Sequence, residues 1–335
     1  MLIRSVLIAL LPAALLACAA AQDAGVPSGP PFPGFERSPH FHEWIKEWKV
    51  EPDAQIHVNL AGDHDSDLPT EVVFFALPNG NSIEWTIGRQ MAEDLDWHFD
   101  IQHIGAQTRV LRQMFPDRNI VTVYLEANPR SWPSWRRDHE NSSARIAGLL
   151  EEAFPRDEKT TWVLTGHSGG GSLTFGYLNG VDSIPDHVTR IAFLDSNYAY
   201  DSDEGHPEKL LEWLRRNARN HLVVVAYDDR NITFNGQRVV SDTGGTFRAT
   251  TERMLPRLAQ EVTFEGSEEN GFHVWRGMDG QIDMRVHHNP ENKILHTVMV
   301  GEMNGLIHAL TVGTPQEVEG EHLKEERVYE EWIQP

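Results

Sequence analysis

Three observations predict an α/β fold, with a mostly parallel sheet covered by helices on both faces. Strand-like and helix-like segments alternate through most of the 335 residues. Several strands are apolar at every position rather than at every second one, which is the pattern of strands buried on both sides. One strand, Thr160 to Thr165, runs straight into a glycine-rich turn and then into a helical segment.

The elements follow in order. Gln55–Leu60 alternates and reads as a strand, and Gly62–Asp67 is a polar loop. Glu71–Leu77 is a compact apolar strand closed by the turn Pro78-Asn79-Gly80-Asn81. In the stretch from Ser82 to Phe115, Ile101, Ile104, Thr108, Leu111 and Phe115 fall at helical intervals. Asn119–Leu125 is a buried strand, Glu126–Trp135 a loop and Ala144–Phe154 a helix. After the glycine-rich turn, Ser172–Leu178 is helical, Arg190–Leu194 a strand, Pro207–Asn217 a helix and His221–Ala226 an almost wholly apolar strand. Phe247–Leu258 reads as a helix bent or ended by Pro256. Val262–Phe264 and Ile282–Val286 read as strands of a small insertion spanning about 262–288. Ile294–Val300 reads as the last strand of the sheet, His308–Val312 as the start of a helix, and Glu317–Trp332 as a charged helix or an edge strand.

The N-terminus has the layout of an export signal over residues 1–21. Arg4 precedes an apolar run from Ser5 to Ala21, interrupted by Pro12 and ending in small residues. No other apolar stretch is long enough to span a bilayer, so the mature chain is expected to carry no integral span. The chain is then periplasmic or secreted. Cys18 is the only cysteine, and Leu15-Leu16-Ala17-Cys18 loosely matches a lipoprotein cleavage box, which would make Cys18 a lipid anchor. Cleavage after Ala21 would instead leave no cysteine, and so no disulfide, thiol nucleophile or thiolate ligand. Residues 22–50 read as a Pro/Gly-rich leader, with a short amphipathic helical turn over Phe41–Trp48. Residues 51–335 form a single domain. With 29 Lys and Arg against 50 Asp and Glu, the net charge is -21. That balance argues against nucleic acid or an anionic membrane as partner.

The chemistry centres on Gly166-His167-Ser168-Gly169-Gly170. A hydroxyl becomes a useful nucleophile only when a base takes its proton and donors hold the oxyanion. A strand–serine–helix turn exposes the serine, lets strand and helix approach closely through small residues, and aims the next amide at the developing charge. No Gly-Lys-Ser/Thr follows, which sets a nucleotide phosphate loop aside. The segment resembles the nucleophile elbow of the α/β-hydrolase superfamily. Within that superfamily the chain resembles bacterial secreted esterase-like and peptidase-like serine hydrolases.

The resemblance implies the chain order serine, acid, histidine. The acid commonly follows the second strand after the serine, which selects Asp229, with Asp228 and Asp195 as alternatives. Among the later histidines, His308 follows the Gly301–Gly305 loop at what reads as the edge of the sheet and is the expected base. His273, after Val262–Glu265, is the rival; His287 and His288 read as a surface turn, His322 is a further candidate, and His296 falls within a predicted strand and reads as structural. Gly169 supplies one oxyanion amide, and Asn79 or Gly80 the second.

Trp132, Trp135, Tyr198 and Tyr200 follow strands that end near the serine and are expected to line a substrate pocket. Arg130, Arg136 and Arg137 share one of those loops and offer to bind an acidic group. His98 and His103 with Asp94, Asp96 and Asp100 have helical spacing, but an acidic solvent face produces the same spacing, and no metal or cofactor is expected. Asp63–Asp67 lacks the glycine and closing Glu of a calcium loop. The expected activity is hydrolysis of a carboxylic ester through a covalent acyl-enzyme, on a small-molecule or peptide substrate with an acyl carbonyl. The alternatives are a peptidase or amidase using the same groups, or a non-catalytic binding module on the same fold.

Overall fold

The structure, a computed structural model, describes residues 29–317 and 323–335. The export segment, Cys18 and His322 lie outside the described residues. The strands are β1 (Glu36–Arg37), β2 (Trp44–Val50), β3 (Ala54–Leu60), β4 (Thr70–Ala76), β5 (Asn119–Ala127), β6 (Thr160–His167), β7 (Val188–Leu194) and β8 (His221–Tyr227). They continue with β9 (Thr233–Phe234), β10 (Gln237–Arg238), β11 (Phe264–Glu269), β12 (Phe272–Gly277) and β13 (Ile282–His287). The helices are α1 (Ile83–Ile87), α2 (Ile104–Met114), α3 (Trp132–Asp138), α4 (Ser142–Ala153) and α5 (Gly171–Gly180). Then come α6 (His206–Arg216), α7 (Thr246–Arg248), α8 (Leu255–Leu258) and α9 (Gly305–Thr311).

Eleven strands form one sheet in the order β1-β2-β3-β5-β4-β6-β7-β8-β13-β12-β11. The six strands from β5 to β13 are parallel, while β2 and β3 at one side and β12 and β11 at the other are antiparallel. The small hairpin β9–β10 stands apart after β8.

The continuous apolar strands are explained by the two cores. On β4, Val72, Phe74 and Ala76 join the cluster on one face, and Val73 and Phe75 join the other. On β8, Leu222 and Val224 divide from Val223 and Val225 in the same way. Alternate side chains point to opposite faces, so a strand covered on both sides must be apolar throughout. Each fully buried Val, Leu or Phe contributes about 1.5–3 kcal/mol. The helices present matching stripes. In α6, Leu210, Leu211, Trp213 and Leu214 are buried, while Arg215 and Arg216 in the last turn favour the helix C-terminus.

Four readings of the sequence are corrected. Residues 44–50 are not leader or helix but the strand β2, paired along its length with β3. The segment 262–288 is not an insertion beside the sheet, because β13 runs parallel to β8 and is its last parallel member. Ile294–Val300 is a loop of turns and not a strand, because the edge beyond β13 is already occupied by β12. Described residues after Glu317 form no long helix and no strand; a 3-10 turn spans Glu330–Trp332.

Candidate active site

Ser168 follows the last residue of β6 and sits at φ 54°. The left-handed backbone is costly for a serine and persists only where packing over-determines it. The packing is visible. Added Cβ atoms on Gly170 and Gly171 would overlap the carbonyls of Ala76 and Ser196. Only glycine lets α5 start this close to β4 and to the loop after β7. Ser168 stays partly exposed at the C-terminal edge of the parallel strands.

The neighbouring strand β7 is followed directly by a second left-handed residue, Asp195, at φ 45°. Its side chain is 1% exposed. One carboxylate oxygen, Oδ2, accepts a hydrogen bond from His296 Nδ1; the other, Oδ1, accepts from the Thr246 hydroxyl. The Tyr198 hydroxyl lies 3.5 Å from Oδ2. His296 stands in the loop that follows β13, and its ring is partly exposed. The loop is anchored beside the serine. His167, the residue before Ser168, donates from Nε2 to the His296 carbonyl at 3.0 Å, and the two rings lie 4.4 Å apart. Burial, then the proximity of His296, holds the His167 imidazole well below its usual range, so it remains neutral.

Ser168, His296 and Asp195 are thus gathered at one edge of the sheet. An imidazole whose Nδ1–H is held by a buried carboxylate has its Nε2 free of that role and is stabilised when it takes up a proton. That is the arrangement a base needs.

The structure does not bring His308 to this edge. It is buried on α9, with Nε2 4.0 Å from Asp283 Oδ1 near the start of β13. The same helix is tied to the start of β7, because Arg190 donates to the carbonyls of Ala309 and Val312 at 3.0 and 2.8 Å. Arg190 pairs in register with Val163, five residues before Ser168, or roughly 16 Å along the strand. The expectation for His308 is therefore corrected, because α9 packs at the opposite end of the strands. His273 lies on β12, four strands from β6 and so roughly 19 Å across the sheet, bonded to Glu268 at 2.6 Å. It is corrected for the same reason of distance.

Asp229 follows β8 as the sequence suggested, but its partner is not an imidazole. Its Oδ2 accepts from the Thr246 amide at 2.8 Å and lies 3.5 Å from the Thr246 hydroxyl. Oδ1 is buried without a hydrogen-bond partner. Burial and then the charge of Asp195 push its carboxyl up to about 6. Asp228 is turned away and pairs with Arg230 through two bonds of 2.9 and 2.6 Å.

At the other side of the serine, the Asn79 carboxamide packs where a Cβ on Gly169 would stand. This brings the Pro78–Asn81 turn against the amide that follows Ser168. The Gly80 amide is directed elsewhere, donating to the Arg130 carbonyl at 2.8 Å. Gly80 is therefore corrected as an oxyanion donor, while the Asn79 side chain lies beside Gly169. On the same edge, Arg130 lies over the Trp85 ring at 5.2 Å, Trp85 stacks on His98 at 4.3 Å, and His98 stacks on the exposed Trp97 at 3.9 Å.

The expected pocket aromatics are mostly core. Trp132 and Trp135 are buried, with their indole N–H groups donating to the carbonyls of Leu125 and Pro52. Tyr200 packs in the same cluster. Only Tyr198 remains beside the site. Arg136 is spent on the Ser172 carbonyl at 3.1 Å, and Arg137 pairs with its neighbour Asp138. Among the described residues no helix is long and apolar enough to cross a membrane, and no group of three His, Cys, Asp or Glu is placed to hold a metal ion.

The sequence reading set His296 aside as structural and did not single out Thr246. A signal for His296 was present: it lies in the loop after Ile282–Val286, an apolar-rich strand preceding Asn289-Pro290. Reading that strand as the last parallel member would have selected it.

The strand order from β2 to β13, the antiparallel second strand and the left-handed serine between β6 and α5 define the α/β-hydrolase fold. No family model matches this chain, and no curated protein is found similar to it. Solved structures are similar at low identity. A glucuronoyl esterase from Solibacter usitatus is 12% identical over 79% of this chain and 83% of its own, with a TM-score of 0.40. A thermostable esterase is 13% identical over 74% of this chain and 55% of its own, with a TM-score of 0.41. The feruloyl esterase module from Clostridium thermocellum is 12% identical over 58% of this chain and 72% of its own, with a TM-score of 0.36.

Proposed function

We propose that this protein is a serine hydrolase that cleaves a carboxylic ester through a covalent acyl-enzyme. The observation that carries the reading is the hydrogen bond from His296 to Asp195, held against the turn that bears Ser168. Ser168 Oγ attacks the acyl carbonyl while His296 takes its proton. Asp195 fixes the imidazole tautomer and stabilises the imidazolium. The amide of Gly169 and the Asn79 segment hold the oxyanion. The imidazolium returns the proton to the leaving alcohol, and a water deprotonated by His296 then releases the acid. An amide can be cleaved by the same groups with a nitrogen leaving group. Residues 1–21 act in this reading as an export signal, and the substrate is a small molecule or peptide outside the cytoplasm.

The test is covalent labelling by a fluorophosphonate together with turnover of p-nitrophenyl acetate. Wild-type protein is expected to be labelled and active, and Ser168→Ala to lose both while keeping its fold. A folded wild type that stays unlabelled and inactive overturns the reading in favour of a binding module. A panel of acyl esters and peptide amides ranks the two bond types.

A further inference from the structure

The proposed triad uses one carboxylate, yet the structure buries two around one hydroxyl. Thr246 Oγ1 donates to Asp195 Oδ1 and lies 3.5 Å from Asp229 Oδ2. Asp195 and Asp229 come from the ends of adjacent parallel strands, β7 and β8, and are 1% and 2% exposed. The Thr246 hydroxyl has a single hydrogen, and Asp195 receives it. Asp229 therefore gains no hydrogen from that hydroxyl, but its own carboxyl proton would find an acceptor there. Asp229 Oδ1 has no partner, an expensive position for an ionised carboxylate and a much cheaper one for a neutral acid. Two buried carboxylates sharing one site do not both ionise readily.

The other groups facing Asp229 do not neutralise it. The phenols of Tyr198 and Tyr227 feel its charge and that of Asp195, and burial and those charges raise both. The Thr246 amide bonds its Oδ2, and this amide with those of Phe247 and of Asp229 itself favours the ionised form, but burial and the Asp195 charge outweigh them. The nearest cation in sequence, Arg230, is engaged by Asp228 and stacked over Phe247 at 3.7 Å. The His296 ring bonds through Nδ1 to Asp195 and not to Asp229.

We propose that Asp195 and Asp229 act as one carboxyl pair bridged by the Thr246 hydroxyl, in which Asp195 carries the negative charge facing His296 and Asp229 carries the proton. The inference rests on the serine-hydrolase reading for its catalytic meaning. Asp229 is a positioning residue: it orders the hydroxyl that orders Asp195. Its proton leaves as the pH rises through about 6, which places a second charge beside Asp195.

The experiment compares wild type, Asp229→Asn, Thr246→Val and Thr246→Ser. Infrared difference spectra between about pH 5 and pH 8 are taken on the Ser168→Ala background, with and without Asp229→Asn. A carbonyl band of a protonated carboxylic acid is expected to disappear with rising pH, and to be absent when Asp229 is replaced. In the active proteins, Asp229→Asn is expected to stay labelled, to lose up to about tenfold in kcat/KM, and to move the acid limb of the pH profile to lower pH. Thr246→Val is expected to disturb the profile and Thr246→Ser to restore it. Absence of the band, or superimposable pH profiles, overturns the pair. So does an Asp229→Asn as inactive as Asp195→Asn, since Asp229 would then be the orienting acid. A wild type that is never labelled defeats the hydrolase reading instead, while the infrared band still decides the proton on Asp229.

Discussion

His296 bonds to Asp195 through its Nδ1, although 101 residues separate them in the chain. The bond joins the loop after β13 to the end of β7, two strands away across β8. A buried carboxylate that fixes the tautomer of a base matters far more to turnover than to binding. Asp195→Asn and His296→Ala are each expected to lower kcat about 10³- to 10⁴-fold with KM changed little. Steady-state kinetics with p-nitrophenyl acetate measure this. His308→Gln is expected to keep the protein labelled and to cost about 1–2 kcal/mol of stability, read by urea unfolding.

Asn79 lies against Gly169, the residue that follows Ser168. If its carboxamide helps to hold the oxyanion, the loss falls on the transition state and not on the bound substrate. Asn79→Ala is expected to reduce kcat about 10²-fold at nearly constant KM, with stability changed by under about 0.5 kcal/mol because the side chain is exposed.

Gly171 has no room for a methyl group, since the Ser196 carbonyl occupies that place. The overlap is with backbone, so relief requires α5 to shift away from the β7 loop. Gly171→Ala is expected to destabilise the fold by about 1–3 kcal/mol and to reduce labelling by displacing Ser168. Thermal unfolding and probe labelling of the same sample check both effects.

Arg285 and Asp283 form a pair that is buried on both sides, joined by bonds of 2.6 and 2.9 Å, and Arg285 also reaches Glu269 at 2.9 Å. Breaking such a pair strands a charge in the core. Asp283→Asn is expected to cost about 3–5 kcal/mol, and the double replacement Asp283→Leu with Arg285→Met to recover part of it. Denaturant midpoints at constant slope measure the difference.

Asp229 makes stability depend on pH in an unusual direction for a carboxyl group. Its proton is held more tightly in the folded chain, at about 6, than in an unfolded chain, where an Asp titrates near 3.9. Between those values the folded state carries the extra proton, so this group's contribution to stability falls as the pH rises from about 4 to about 6. Asp229→Asn is expected to flatten that part of the curve and to be more stable than wild type above pH 6. Urea unfolding across the range checks the sign.

The sequence by itself determined the fold class and singled out Ser168 as the candidate nucleophile. Apolar strands such as His221–Ala226 specify burial on both faces, and that burial specifies a parallel sheet between helices. The Gly166–Gly171 run allows the close approach that only a strand–serine–helix turn needs, so Ser168 was legible from local chemistry alone. Its partners were not. Which strand is the last parallel one depends on whether β13 pairs with β8 or with β12 alone, and that register is a long-range choice no local pattern records. Once β13 pairs with both, the loop behind it carries His296 to the turn that bears Ser168, and α9 carries His308 to the opposite edge. The choice between the two carboxylates is of the same kind. Asp195 and Asp229 have equivalent places at the ends of adjacent strands, and only the packing of Thr246 and His296 between them distinguishes the one that holds the imidazole.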